Sequence, residues 1–207
     1  MLNEIKSFLP YNKSINVIDA TFGGGGYSKA ILENFSVNQL LAIDRDPIAK
    51  IFAKDLEGRY HNFSLVNDRF SRIDKIVEQN KLKEKKFDFI YSFAVFEHIT
   101  YPKKTLLLLS NLLNEGGLIY IYVPNGFNIE KKLINKNWTA SKDALHPLEH
   151  INCFNRKSLK ILANEANMKI KKNIFLPRYK NKKSIISEIL KHIYNNSFST
   201  GVFLEKK

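Results

Sequence analysis

The 207-residue chain is short of several residue types, and each shortage excludes a class of structure. A single cysteine, Cys153, cannot form an internal disulfide or a multi-cysteine metal site, so we expect it to pack as a small side chain. No apolar run approaches the roughly 20 residues that a membrane span needs. The first residues carry an acid where a secretory signal has a basic region. We therefore expect a cytoplasmic protein without a transmembrane segment.

Acidic side chains are also scarce, with 20 against 33 basic ones, and the excess is uneven. Residues 155–207 hold 13 basic and 3 acidic side chains, whereas residues 87–154 hold 6 of each. A basic segment of this kind can bind RNA, anionic lipid headgroups or an acidic substrate. Lysine outnumbers arginine 27 to 6, a bias equally typical of ordinary solvated surface. Both interpretations stay open on charge alone.

Glycine is uncommon, yet four of the nine glycines are consecutive, at Gly23–Gly26. They follow the apolar run Val-Ile-Asp-Ala at residues 17–20, which has the composition of a buried strand. Glycines cluster where the backbone takes positive φ angles and where a ligand approaches the main chain closely. The run therefore predicts a strand that ends in a loop beneath a nucleotide-type cofactor.

Apolar runs alternate with helical patterns along the chain, which predicts an α/β fold with a parallel sheet and helices on both faces. A long loop with short helices is expected at 125–154. We treat 1–207 as one domain, with a cofactor half at about 1–86 and an acceptor half at about 87–207. The expected strands are 15–20, 39–43, 62–66, 87–92, 118–123, 168–176 and 199–204, and the expected helices are 27–35, 47–56, 71–80, 103–114, 156–166 and 184–195.

Acidic residues at the ends of the first three expected strands narrow the choice of cofactor class. Asp44 lies 19 residues after Gly25, where a carboxylate can accept hydrogen bonds from both ribose hydroxyls of a dinucleotide or of S-adenosylmethionine. Asp19 could face the ammonium group of a methionine moiety, whereas it would repel a pyrophosphate. Asp68 and Phe70 could hold an adenine through its amino group and its ring. These positions favour S-adenosylmethionine, with a dinucleotide-dependent oxidoreductase as the competing class.

At these residues the chain resembles class I S-adenosylmethionine-dependent methyltransferases. Asp-Ala-Thr-Phe-Gly-Gly-Gly-Gly-Tyr-Ser at 19–28 and Ala-Ile-Asp-Arg-Asp-Pro at 42–47 make residues 1–75 similar to the bacterial 16S rRNA (cytosine-N4) methyltransferases. Phe-Asp-Phe-Ile-Tyr-Ser-Phe-Ala-Val-Phe-Glu-His at 87–98 makes residues 87–175 similar to the general ubiquinone and glycan O-methyltransferase type. The resemblance implies a Rossmann-like fold with a mostly parallel seven-stranded sheet, and Gly116-Gly117 matches the family's turn before strand five.

The resemblance implies S-adenosylmethionine as cofactor. The two halves of the chain resemble enzymes with different acceptors, so the acceptor is left open. O-methylation of a small-molecule or lipid-linked acceptor is our first interpretation, and an rRNA (cytosine-N4) methyltransferase-related protein or a non-catalytic cofactor-binding remnant are the alternatives. His98 and His150 are the expected catalytic bases, with His146 a further candidate, and each can instead serve packing. The expected cofactor-binding residues are Asp19, Gly23, Gly24, Gly25, Gly26, Tyr27, Asp44, Asp68, Phe70 and Phe93.

Three further features have two interpretations each. His146-Pro-Leu-Glu-His150 brings two imidazoles and a carboxylate close in sequence, but Pro147 opposes a regular helix, so we expect no metal. Trp138 with Phe127 could form a lid over the acceptor or pack in the core. The amphipathic helix at 184–195 could cover the sheet or lie on a membrane surface.

Overall fold

The computed structural model describes most of the chain. The described residues are 9, 12–80, 82, 85–127, 129–135, 139, 144–146, 149–171 and 199–207. Trp138, Pro147 and the helix expected at 184–195 lie outside them, as does most of the expected strand 168–176 beyond residue 171.

Strands and helices alternate along the described residues, as the apolar pattern predicts. The strands are β1 (Ile15–Asp19), β2 (Val37–Asp44), β3 (Phe63–Asn67), β4 (Phe87–Phe93), β5 (Leu113–Pro124), β6 (Met168–Ile170) and β7 (Ser199–Lys206). The α-helices are α1 (Gly26–Asn34), α2 (Ala49–Arg59), α3 (Ile73–Gln79), α4 (Pro102–Leu112), α5 (Ile129–Ile134) and α6 (Arg156–Glu165), with 3₁₀ turns at Phe70–Arg72 and Phe96–His98.

The seven strands form one sheet in the order β3-β2-β1-β4-β5-β7-β6. Strands β1 to β5 pair with one another in parallel, whereas β7 runs antiparallel to both β5 and β6. The sheet is therefore mostly parallel, as expected, with the correction that its last strand is reversed. β7 lies between β5 and β6 in the sheet, although it follows both of them along the chain.

Helices cover both faces of the sheet, and successive strand residues enter different cores. Ile18 and Ile90 point into the core formed with α3, α4 and α6, whereas Val17 and Phe89 point into the core formed with α1 and α2. Side chains of a strand alternate between faces, so burial on both faces requires the continuous apolar runs seen in the sequence.

The connection from α4 to β5 differs from the expected helix 103–114 and strand 118–123, because β5 begins directly after α4. Helix α4 ends at Leu112, and the chain then pairs Leu113 with Phe87 but Leu118 with Phe89, so extra residues bulge out of β5. Gly116 adopts φ +73° in this bulge. A Cβ at Gly117 would lie 3.0 Å from the carbonyl oxygens of Asn114 and Phe87. The bulge accounts for both glycines.

The parallel strands end at one edge of the sheet, and the winding reverses between β1 and β4. Strands β2 and β3 lie on one side of β1, and β4 and β5 lie on the other. Ligands of open α/β sheets bind at the carboxyl ends of the strands at such a reversal. The glycine run directly follows β1 and therefore lies at this position.

The segment between β5 and α6 is held closed at its base. The Gly126 amide donates to the Phe154 carbonyl at 2.6 Å, so the two ends of the segment meet. A Cβ at Gly126 would lie 2.4 Å from Cys153 Sγ, which explains why glycine occupies this position. Within the described ranges, none of the helices combines the length and apolarity needed to cross a membrane.

Candidate cofactor and acceptor site

The glycine loop joins β1 to α1 and leaves open space above its backbone. Gly25 adopts φ +76° at the N-terminus of α1, and a Cβ there would lie 2.6 Å from the Phe22 ring. Gly23 also has a positive φ, of +54°. A Cβ at Gly23, Gly24 or Gly26 would meet nothing within 4 Å. Gly25 is thus required by the fold, while the other three glycines leave room for a ligand against the main chain.

Asp19 ends β1 and is fully buried beneath the loop. Its Oδ1 accepts a hydrogen bond from the Thr21 amide at 2.9 Å. Its Oδ2 accepts from Ser28 Oγ at 2.6 Å and from the Tyr91 hydroxyl. The structure therefore places this carboxylate against hydroxyls and not in the open cleft where the sequence suggested an ammonium partner. Asp19 joins the strand end to the first turn of α1.

Burial makes the ionised form of this carboxylate costly. Desolvation raises the pKa of Asp19 to about 6, although the hydrogen bonds from Ser28, Tyr91 and Thr21 act in the opposite direction. Burial, reinforced by the Asp19 charge, raises the pKa of Tyr91 well above its usual value. Tyr91 therefore stays protonated and donates to Asp19.

Asp44 ends β2 and contacts the glycine loop directly. Its Oδ2 accepts from the Gly23 amide at 2.7 Å, and its Oδ1 accepts from the Asp46 amide at 2.9 Å. Asn67, at the end of β3, donates through Nδ2 to the Asp44 carbonyl at 2.9 Å. Three strand ends are thereby joined, and the half-buried Asp44 carboxylate lies beside the loop, where a ribose contact is expected.

A cavity of about 440 Å³ opens between the ends of β2 and β3. Asp68 lines it, and its Oδ1 accepts from the Arg69 amide at 2.7 Å and from Arg72 Nη1 at 3.3 Å. Phe70 is only 5% exposed and packs in the core instead of lining the cavity, so its contact with adenine stays a prediction. The lining residues are Arg45, Asp46, Pro47, Asn67, Asp68 and Arg69.

A second cavity, of about 350 Å³, lies on the other side of the glycine loop and is lined mainly by apolar atoms. Tyr27 and Phe93 meet there, with ring centroids 5.6 Å apart, and Phe93 stacks on Tyr122 at 4.0 Å. Thr21 Oγ1 accepts from the Phe93 amide at 3.1 Å. The sequence placed Tyr27 and Phe93 at the site but missed Thr21 and Tyr122, whose strands meet only in the folded sheet.

His98 and His150 lie together near the end of β4, with ring centroids 5.0 Å apart. His98 belongs to the 3₁₀ turn after β4, and its Nδ1 is 2.7 Å from the Glu149 carbonyl oxygen. His146 lies 5.6 Å from His150 by ring centroids. The structure thus brings the expected bases together, and their catalytic role stays a prediction.

Glu97 is the residue of this region that the sequence analysis missed. Its side chain is buried, with 2% exposure, and neither carboxylate oxygen has a hydrogen-bond partner in another described residue. Burial raises the pKa of Glu97. The signal was present in the sequence, because an acid follows the apolar run Ala94-Val95-Phe96 and directly precedes His98.

With this geometry in place, comparison with known proteins identifies the family. A family profile described as a methyltransferase domain matches residues 1–173. The chain belongs to this methyltransferase-domain family. Membership of this family makes the protein an S-adenosylmethionine-dependent methyltransferase. The open glycine loop with Asp44 beside it fits that cofactor, because both the space and an acceptor for ribose hydroxyls are present.

Solved structures of methyltransferases share the fold over the whole chain. An S-adenosylmethionine-dependent methyltransferase from Mesorhizobium loti superposes with a TM-score of 0.67 at 12% identity, covering 99% of this chain and 96% of that one. A methyltransferase in complex with the Trm112 activator from Haloferax volcanii gives 0.66 at 14% identity, covering 98% and 87%. Identities this low show a common fold only.

A curated relative confirms the rRNA methyltransferase resemblance over part of the chain. The ribosomal RNA small subunit methyltransferase H of Xanthobacter autotrophicus is 41% identical over 81 residues, which is 39% of this chain. The match covers only 23% of the relative, so the chain spans less than a quarter of that protein's length. The acceptor of the relative is therefore not an established property of this methyltransferase.

We expect Gly25→Ala to destabilise the fold, whereas Gly24→Ala should not. The positive φ of Gly25 alone costs an alanine about 1 to 2 kcal/mol, and the Phe22 ring must also move. Gly24 is the matched control because its Cβ would meet open space. Urea denaturation of both variants measures the difference. Equal free energies of unfolding for the two variants would show that the loop does not need its left-handed residue.

The buried Asp19 predicts a stability that changes with pH in an unusual direction. Its folded pKa of about 6 exceeds the ordinary value of 3.8, so the folded state binds a proton more tightly than the unfolded state. The stabilisation is fully present below about pH 4 and is lost as pH rises through about 6, a change of about 3 kcal/mol. Denaturation of wild type and Asp19→Asn across this window should show it.

Asp88 provides a control of opposite sign for that experiment. It accepts hydrogen bonds from Lys13, the Asn16 amide and Asn114, which together lower the pKa of Asp88 despite its partial burial. Asp88→Asn should therefore remove stability that exists at neutral pH and disappears on acidification. If wild type and Asp19→Asn showed parallel pH profiles, the buried carboxylate would not titrate in this window.

Proposed function

We propose that this methyltransferase methylates an oxygen atom of a small-molecule or lipid-linked acceptor. The observation that carries the proposal is the His98–His150 pair, which lies after β4, the strand whose last residue lines the cavity beside the glycine loop. A hydroxyl acceptor must lose a proton during methyl transfer, and imidazoles are suited to promote that loss near neutral pH.

The cofactor residues have separate tasks in this proposal. Bound S-adenosylmethionine supplies an electrophilic methyl group on a sulfonium centre. Gly23, Gly24 and Gly26 allow the close approach of a ligand, and the Asp44 carboxylate accepts hydrogen bonds from ribose hydroxyls. Asp68, in the cavity between β2 and β3, accepts from the adenine amino group. Asp19 acts beneath them by fixing the loop on which this arrangement depends.

The histidine pair has a defined orientation for handling the acceptor proton. A neutral His98 donates from Nδ1 to the Glu149 carbonyl, which leaves the lone pair on Nε2. Methyl transfer would form a bond between the acceptor oxygen and the methyl carbon and break the sulfur–carbon bond, whose electron pair would stay on sulfur. An imidazole of the pair would take the acceptor proton and pass it to water, so atoms and charge balance.

The surroundings of the site support an acceptor with an apolar part. Tyr27, Phe93 and Tyr122 form an aromatic wall beside the glycine loop. The segment after β5 also exposes large apolar side chains, with Phe127 58%, Leu133 61% and Ile134 80% exposed. Exposed apolar surface of this kind marks contact with a ligand, a partner or a membrane. A lipid-linked acceptor would contact both regions.

Ribosomal RNA is the second candidate acceptor, supported by a sequence match and by the charge of the last quarter of the chain. The 41% identity to a ribosomal RNA methyltransferase exceeds that of the structural relatives, although it covers 39% of the chain. The 13 basic side chains of residues 155–207 would suit a polyanion. RNA binding would then weaken steeply with salt, which the assay below includes.

Cofactor binding should depend on Asp44. Calorimetry with S-adenosylhomocysteine should give a binding isotherm for wild type and an affinity at least about tenfold lower for Asp44→Ala, because hydrogen bonds to charged groups contribute about 1.5 to 3 kcal/mol. Asp55→Ala is the matched control, since Asp55 pairs with Arg59 on the outer surface of α2. Unchanged binding by Asp44→Ala would remove Asp44 from the cofactor site.

Acceptor identity can be tested with labelled S-adenosylmethionine offered three substrates in parallel: a lipid extract, an aqueous metabolite extract and small ribosomal subunits. We expect label in the lipid or metabolite fraction, reduced about 100-fold or more by His98→Ala, since general base catalysis contributes about 10² to 10⁴. His61→Ala, an exposed histidine before β3, should retain activity. Salt-sensitive labelling of ribosomal RNA instead would establish the second candidate and overturn the first.

A further inference from the structure

Three side chains with metal-binding atoms converge at the acceptor side of the site. Glu97 and His98 come from the 3₁₀ turn after β4, and His150 comes from the segment before α6. One ligand atom from each lies within 4.8 Å of the other two. We propose that Glu97, His98 and His150 form a binding site for a divalent transition-metal ion of the Zn²⁺ class.

The buried carboxylate gives the strongest reason for a cation. Glu97 is 2% exposed, and neither of its oxygens has a hydrogen-bond partner in another described residue. Buried charged groups are normally paired or coordinate metals, because an unpaired one is costly to remove from water. A bound cation would supply the missing partner.

The orientation of His98 also matches that of a metal ligand. Its Nδ1 is 2.7 Å from the Glu149 carbonyl oxygen, so a neutral imidazole donates there and keeps its lone pair on Nε2. Metal-binding histidines usually donate their other ring nitrogen to a carbonyl or carboxylate, which fixes the ring and its tautomer. Glu149 thus provides the supporting contact that such a ligand needs.

Backbone hydrogen bonds hold the two ligand-bearing segments together. The amides of Ile151 and Asn152 both donate to the Glu97 carbonyl at 3.0 Å. Asn152 Nδ2 donates to the Ile99 carbonyl at 2.6 Å and to the Phe96 carbonyl at 3.3 Å. The ligands are therefore brought close by the fold itself and do not depend on the ion to assemble them.

The donor set selects the class of ion. Two imidazoles and one carboxylate suit Zn²⁺ and related transition metals, whereas Mg²⁺ and Ca²⁺ prefer oxygen ligands throughout. Three protein ligands leave a coordination position open for water or an acceptor oxygen. The sequence analysis expected no metal because it considered His146 with His150 across Pro147. The site proposed here instead combines His150 with a turn about 50 residues earlier in the chain.

The role of the ion rests on the proposed function, whereas its binding does not. A bound ion would make an acceptor hydroxyl lose its proton more readily. With the ion present, His98 and His150 would hold it, and this task would replace the role of base proposed for them above. The acceptor proton would go to water, and the methyl transfer would otherwise balance as described above.

Metal binding can be measured without any acceptor. Zn²⁺ should bind the metal-free full chain at one equivalent in a chelator competition titration, and His98→Ala and Glu97→Gln should each weaken binding at least about tenfold, by comparison with the 10- to 100-fold cost of losing an outer-shell partner. His61→Ala and Cys153→Ser are the controls for adventitious sites on a surface histidine and on the exposed lone thiol. Both controls should bind as wild type does.

Two further measurements keep the test decisive. Glu97→Gln preserves the shape of the buried side chain, so it tests the site even where His98→Ala fails to fold, and Zn²⁺ should raise the melting temperature of wild type but not of Glu97→Gln. Equal Zn²⁺ affinity in wild type and Glu97→Gln, or an equal loss in Cys153→Ser, would overturn the proposal. Zn²⁺ binding without O-methylation would leave the site standing and refute only the proposed function.

Discussion

The buried carboxylate of Asp19 is the interaction on which the cofactor region depends. It accepts hydrogen bonds from the Thr21 amide, Ser28 and Tyr91, and so joins β1, the glycine loop, α1 and β4 at one point. A loop with few side chains makes few packing contacts of its own, so hydrogen bonds to the buried residue beneath it must determine its shape. Three donors offset part of the cost of burying this carboxylate, and the resulting backbone has a defined shape with open space above it.

Asp44 repeats this principle at the surface. Its carboxylate accepts a hydrogen bond from the Gly23 amide, and its carbonyl accepts one from Asn67. The loop after β1 is thereby joined to the end of β2, and the end of β2 to the end of β3. On the acceptor side, backbone hydrogen bonds between Glu97 and the 151–152 amides do the corresponding work. The cofactor region is thus held mainly by side chains, and the region of Glu97 and His150 by main-chain amides together with the Asn152 side chain.

The sequence predicted those features that depend on neighbours along the chain. The alternation of strands and helices and the glycine loop followed from local patterns. Among the described residues their positions agree with the structure to within a few residues, except that β5 begins at Leu113 and not at residue 118. The burial of Asp19 could not be predicted, because its partner Tyr91 lies 72 residues away. The meeting of Glu97 and His150 and the reversal of β7 depend on sheet topology in the same way. Gly116 was matched to the turn before strand five, and its place in a bulge of β5, with a positive φ, follows only from the pairing of β5 with β4.

The closed base of the segment between Gly126 and Phe154 has an evolutionary consequence. Because Gly126 is bonded to Phe154 and the amides of Ile151 and Asn152 are bonded to Glu97, residues between Gly126 and His146 can be inserted, deleted or exchanged without displacing His98 or His150. Loops with adjacent ends tolerate such changes at low entropic cost. Recombination in this part of the chain could therefore give a family with one methyl donor new acceptors.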